Sequence, residues 1–190
     1  MRNLSVGLLH PGNGFIISCP KGVTPFMSKA FRILFVCTGN ICRTPMAVCC
    51  GQAQQDHSAN ADNIHIDSAG TWAIEGAPAA PLSISVCEEN GMDASAHLAK
   101  PVDLTLMKNS DLVLCMSLEH KTDLLSIFPH LDDRIFTLRE YGAAETPELI
   151  SIPDPYGHGI EHYRETFQLI QTEMHRLWPH VENAAQLLPK

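Results

Sequence analysis

Residues 31–45 constrain this chain most: a buried strand, a loop and the start of a helix follow one another without a gap. Phe31-Arg32-Ile33-Leu34-Phe35-Val36 is an apolar run of the length that suits a buried parallel strand. It gives way to Cys37-Thr38-Gly39-Asn40-Ile41-Cys42-Arg43. Thr44-Pro45 then offers an N-cap and a proline for the first helical position. The helix should run to about His57.

The same alternation continues. Ile64 to Asp67 reads as a second strand that ends at Ser68-Ala69-Gly70-Thr71. Leu82 to Glu89 reads as a helix stopped by Asn90-Gly91. Asp111 to Met116 is a third strand, Leu118 to Phe128 a helix ending before Pro129, and Arg134 to Leu138 a short fourth strand. Ile160, Tyr163, Phe167, Ile170, Met174, Leu177 and Val181 recur at steps of three and four, one apolar stripe on a long terminal helix that Pro179 kinks or ends. Strands alternating with helices predict an α/β fold: a single domain with a parallel four-stranded sheet and helices on both faces. Ligands bind such sheets outside the carboxyl ends of the strands, where the Cys37 loop lies. Residues 1–28 carry Gly, Pro and Ser without a periodic core. They are expected to form a poorly ordered extension before a domain of residues 29–190, with Met27 a candidate start.

Charge and composition narrow the function. A net charge of −8 argues against a nucleic-acid partner, which calls for a basic face. No apolar run reaches membrane-spanning length, so no membrane partner is expected. Seven cysteines without regular spacing do not make a disulfide framework, which points to a reducing cytoplasm.

The Cys37 loop carries the chemistry. A loop feeding a helix N-terminus turns backbone N–H groups inward and adds partial positive charge. Gly39 permits the tight turn that this convergence requires. Arg43 can hold two oxygens of a phosphate with its planar fork. The same field favours the thiolate of Cys37, and Thr44 can donate a hydrogen bond to it. A bare Cys-x5-Arg is weak by itself, and a buried Cys37 beside a surface Arg43 is the plain alternative. The flanking strand, the Thr-Pro start and the internal Gly-Asn favour an anion site with a nucleophile at its floor. Such a nucleophile needs a proton donor for its leaving group. In Ile152-Pro153-Asp154-Pro155-Tyr156-Gly157, two prolines hold one carboxyl and Tyr156 can stack beside an aromatic substrate. Taken alone, the segment reads as a turn.

Together the two segments resemble the low-molecular-weight protein-tyrosine phosphatases, over about Ala30 to Val181. Asp67 to Thr71, Asn90-Gly91 through His97, and Asp111 to Met116 add to the likeness. The resemblance implies a cysteine-dependent hydrolysis of phosphotyrosine through a cysteinyl-phosphate, with no metal or cofactor. It implies Cys37 as nucleophile, Arg43 as clamp and Asp154 as acid, then base. Thr38, Gly39, Asn40, Ile41, Cys42, Thr44 and Tyr156 would surround the substrate. Asn40, Ser68 and His97 would brace the loop. Ile41 matches the tyrosine-directed members, whereas arginine-phosphatase relatives tend to have Thr there. Cys42 matches a cysteine that can trap oxidised Cys37 as a disulfide, and a silent packing thiol fits it equally well. The implied partner is a phosphotyrosine-bearing protein, with a bacterial tyrosine kinase of surface-polysaccharide assembly as the family-level expectation. Val48, Lys100, Ser117 and Gly157 depart from the family's usual residues without removing a catalytic group.

Three other readings compete. An arsenate reductase on this fold would need a thiol relay; Cys87 could start one, but Ala94 stands where its partner is expected. A phospho-binding module without turnover would not need Cys37, Arg43 and Asp154 together. His158-Gly159-Ile160-Glu161-His162 matches a zinc-peptidase pattern in form, but its glycines and the short chain after it argue against a metal site.

Overall fold

The computed structural model describes residues 30–59, 61–145 and 147–187. The extension expected over residues 1–28 lies outside them. The elements follow in the order β1 Phe31–Cys37, α1 Arg43–Asp56, β2 Ile64–Gly70, α2 Pro81–Glu89, α3 Leu104–Asn109, β3 Leu112–Cys115, α4 Leu118–Ile127, β4 Ile135–Thr137 and α5 Ile160–Gln186. The four strands form one sheet in the order β2-β1-β3-β4, with every pair parallel.

Side-chain alternation along the central strands explains their unbroken apolar sequence. Ile33 and Phe35 of β1 and Leu114 of β3 face a core shared with α1, α2 and α5. Leu34 and Val36 of β1 and Val113 and Cys115 of β3 face a second core with Met107 of α3 and Leu124 of α4. Both faces are therefore covered, as a parallel sheet requires. The chain leaves β1 toward β2 on one side and returns to place β3 on the other. The order of strands reverses at β1, so a crevice opens at its carboxyl end. Cys37 is the last residue of that strand.

Three local expectations change. The helix begins at Arg43, so Pro45 lies within its first turn rather than opening it, and Cys42 is the N-cap without a side-chain cap bond. Thr44 is no cap because its hydroxyl is engaged by Cys37 and Asn40. Pro179 does not end the terminal helix, which runs on to Gln186. Val181 and Ala185 continue the buried stripe past the proline, and that packing offsets the one backbone bond it removes. Helix α3 was not anticipated; it is a six-residue turn held by Asp103, whose carboxylate accepts from Leu106 N at 2.7 Å. Among the described residues, no helix is long and apolar enough to cross a membrane.

Candidate active site

The loop from Cys37 to Arg43 is shaped by where its carbonyls go. Thr71 N donates to Cys37 O at 2.9 Å, Trp72 N to Thr38 O at 2.9 Å and Ala80 N to Ile41 O at 2.8 Å. Ser83 Oγ donates to Cys42 O at 3.1 Å. His97 Nε2 lies 2.7 Å from Asn40 O, and because a carbonyl only accepts, that nitrogen carries the proton. Five carbonyls are thus drawn outward by the surrounding backbone and side chains. The loop N–H groups are left to face inward, the arrangement of an anion nest. No acidic residue lies in the first turn of α1 to cancel its N-terminal field.

The tight turn expected of Gly39 has its left-handed residue at Asn40, with φ 57°. Asparagine tolerates this region because its side chain can bond locally. Here it does so three times: Nδ2 donates to Thr44 Oγ1 at 2.8 Å and to Ser68 Oγ at 2.9 Å, and Oδ1 accepts from Lys100 N at 2.9 Å. Lys100 is itself paired with Asp67 at 2.7 Å. Ser68 and His97 therefore both act on the loop through Asn40.

Cys37 Sγ sits at the floor, buried. Asn40 N donates to it at 3.2 Å. Thr44 Oγ1 is 3.2 Å away and already accepts from Asn40, so its proton is free for the sulfur. The sulfur is thus approached by two donors.

Gly70 pairs with Cys37 in the sheet and underlies the loop. A Cβ there would stand 2.4 Å from Thr38 O and 2.9 Å from Asn40 N, both backbone atoms that cannot step aside cheaply. Gly70→Ala should lower folding stability by about 1–3 kcal/mol, the usual cost of overpacking. Urea unfolding midpoints check this, and an unchanged midpoint would show that the loop yields.

Arg43 is buried to 5% exposure. Its Nη2 donates to Asp154 Oδ2 at 2.5 Å and to Thr38 Oγ1 at 3.4 Å, and its Nη1 to Ile152 O at 3.4 Å. Its Nε has no partner among the described residues, a buried donor suited to an anion. Asp154 comes from the loop before α5, anchored where Ile152 N donates to Met116 O at 2.7 Å beyond β3. Asp154 Oδ1 accepts from Tyr156 N at 3.1 Å.

One cavity of about 260 Å³ is lined by Cys37, Thr38, Gly39, Ile41, Cys42, Arg43 and Asp154. Trp72, Ile74, Ala77 and Tyr156 complete its mouth. Trp72 and Ile74 were not anticipated. At 82% and 78% exposed, they are large apolar side chains with no core to serve. Those exposures cannot be read from residue type, but Thr71-Trp72-Ala73-Ile74 directly after a strand end was a usable signal.

Cys42 shares the cavity wall, and its thiol has its own partner. Cys42 Sγ is 3.4 Å from Tyr163 Oη, and burial pushes its pKa up. Cys87 is fully buried, apart from the cavity lining. His158 and His162 stack with centroids 4.5 Å apart, and among the described residues no group of three or more His, Cys, Asp or Glu could hold a metal ion. Of the departures from the family's usual residues, Val48 packs against the core and Ser117 caps α4, accepting from His120 N at 3.3 Å.

Comparisons with known proteins place the chain in a family. A sequence model described as "low molecular weight phosphotyrosine protein phosphatase" matches residues 32–187. The chain is 34% identical to a protein-arginine-phosphatase of Bacillus subtilis (strain 168) over 134 residues, 70% of this chain and 85% of that protein. It is 30% identical over 156 residues to the low molecular weight protein-tyrosine-phosphatase Wzb of Escherichia coli (strain K12), 82% of this chain and 98% of that one. A crystal structure of a low molecular weight protein tyrosine phosphatase from T. tengcongensis superimposes with a TM-score of 0.72 at 37% identity, covering 80% of this chain and 99% of the other. With its anion loop at the switch point of a four-stranded parallel sheet, the chain belongs to the low molecular weight phosphotyrosine protein phosphatase family.

Proposed function

We propose that residues 29–190 form a cysteine-dependent phosphatase that hydrolyses phosphotyrosine in proteins. The observation that carries this reading is one cavity holding the Cys37 thiol, the Arg43 fork and the Asp154 carboxyl. In the first step, the Cys37 thiolate attacks phosphorus opposite the ester oxygen. The S–P bond forms as the P–O bond to the tyrosine breaks, and the carboxyl of Asp154 gives its proton to the departing phenolate. Arg43 and the inward loop amides of Thr38, Gly39, Asn40, Ile41 and Cys42 hold the charge on the transferring group. In the second step, water attacks the phosphocysteine, Asp154 takes its proton, and inorganic phosphate leaves with the thiolate restored. Thr44 stabilises that thiolate by its hydroxyl.

The choice of tyrosine rests on the walls. Ile41, Trp72, Ile74 and Tyr156 offer apolar faces to an aromatic ring. Relatives named for phosphoarginine are as similar as those named for phosphotyrosine, so the arginine reading is the one to test against. A side-by-side assay of peptides bearing phosphotyrosine, phosphoarginine or phosphoserine should rank phosphotyrosine first, with labelled phosphate trapped on Cys37 in a single turnover. Faster release from phosphoarginine would overturn the substrate, and label elsewhere would overturn the mechanism. The partner is a phosphotyrosine-bearing protein, a tyrosine kinase being the first candidate. The six described cysteines are free thiols, which fits a cytoplasmic setting.

A further inference from the structure

His120 has no part in the mechanism above, yet it touches the loop. It lies in α4, 5% exposed. Its Nε2 is 2.9 Å from Thr38 Oγ1, and its Nδ1 is 2.9 Å from Ser117 Oγ. Thr38 Oγ1 in turn accepts from Arg43 Nη2 at 3.4 Å. A chain of hydrogen bonds therefore runs from the cap of α4 through the imidazole to the anion clamp.

Counting protons sets its direction. Two arrangements satisfy the neutral imidazole. With the proton on Nδ1, the ring donates to Ser117, and Thr38 spends its hydroxyl proton on Nε2. The Ser117 proton is then left over on a hydroxyl that is 8% exposed and bonds only to His120 among the described residues. With the proton on Nε2, Ser117 donates to Nδ1, Nε2–H donates to Thr38 Oγ1, and the spare proton belongs to Thr38. Both residues border the groove of about 670 Å³ beside His120, but Thr38 is exposed and also lines the Cys37 cavity, whereas Ser117 is buried and does not. A stranded buried donor costs more than an exposed one, so the second arrangement wins. Protonating the ring would reverse the Ser117 bond and strand the Ser117 hydroxyl proton, and the environment opposes it. Burial, then the Arg43 charge, push the His120 pKa down to about 4, against the weaker pull of Asp154 and Asp123.

We propose that His120 is a positioning residue of this site: its Nε2–H holds Thr38 Oγ1, and so turns the Thr38 hydroxyl proton into the cavity, toward an oxygen of the bound phosphoryl group. Thr38 then joins the loop amides as a donor, while its oxygen steadies Arg43. The inference rests on the phosphatase reading for its substrate but not for its geometry.

The experiment separates the two nitrogens. Gln places an amide near Nε2, whereas Asn reaches only the Nδ1 position. His120→Gln should keep kcat/KM for p-nitrophenyl phosphate within about threefold of wild type, and His120→Asn should lose about tenfold, the scale of one neutral hydrogen bond. Thr38→Ser should behave as the first and Thr38→Val as the second. The double variant Thr38→Val with His120→Asn should be no slower than Thr38→Val alone, because both act through one oxygen. Additive losses, or Asn as active as Gln, would overturn the proposal. Nitrogen NMR of the imidazole gives a readout without turnover. A neutral Nε2-protonated ring at neutral pH supports the proposal, and the Nδ1 tautomer overturns it, even where a substitution unfolds the chain. A wild type without turnover would sink the phosphatase reading and leave this measurement standing.

Discussion

Cys37→Ser should abolish turnover while leaving inorganic phosphate bound with near wild-type affinity. The two properties come from different atoms. Binding draws on the loop amides, the helix N-terminus and Arg43, and none of these depends on the sulfur. In the proposed mechanism the chemistry draws on the Cys37 sulfur, which Asn40 N and Thr44 Oγ1 approach at 3.2 Å each. A serine hydroxyl in the same place keeps its proton at neutral pH and is a far weaker nucleophile. Removing a covalent nucleophile costs on the order of 10⁴-fold or more in kcat. Steady-state rates on p-nitrophenyl phosphate and calorimetric titration with inorganic phosphate measure the two halves. Equal rates for wild type and variant would end the cysteinyl-phosphate mechanism.

How far the site was legible follows from what kind of atom does each job. Cys37, Arg43 and Thr44 are readable because strand, loop and helix start are contiguous, and the proposed mechanism uses their side chains. Asp154 is 111 positions from Arg43 and looks like a turn until the two are read together. Asn40 is expected to brace the loop and Gly39 to permit its tight turn, whereas the left-handed backbone falls on Asn40. Residue type alone favours glycine, and only the bonds to Thr44, Ser68 and Lys100 explain the asparagine. The donors that turn the loop carbonyls outward left no trace in the sequence where they are backbone groups. The N–H groups of Thr71, Trp72 and Ala80 would look the same for almost any residue. Local propensity expects Pro179 to kink or end the terminal helix, and the helix runs on because burial continues beyond it. A similar blind spot covers Arg176, which ties α5 to the carbonyls of Leu138, Arg139 and Tyr141 and pairs with Glu173. Such long-range polar contacts have no periodic signature.

Asp154→Ala should slow poor leaving groups far more than good ones, and should at the same time tighten phosphate binding. The first effect is general acid catalysis. A leaving oxygen that carries its charge easily needs little help, so p-nitrophenyl phosphate should lose least. Phenyl phosphate and phosphotyrosine peptides should lose about 10²–10⁴-fold in kcat. The second effect comes from the ion pair. In the structure, Asp154 Oδ2 occupies Arg43 Nη2, a donor that the phosphoryl group also needs. The carboxylate is 43% exposed, so the pair is partly screened and the competition is modest. Removing it should tighten inorganic phosphate by about two- to fivefold, the worth of a half-exposed pair. A plot of log kcat against leaving-group acidity for both enzymes separates the roles. A steeper slope in the variant assigns Asp154 the proton. An equal loss for every ester, with weaker phosphate binding, would mean that Asp154 serves mainly to hold Arg43 in place, and the acid would have to be sought elsewhere. The direct contact between clamp and carboxyl makes both outcomes physically available, and the two measurements together decide between them.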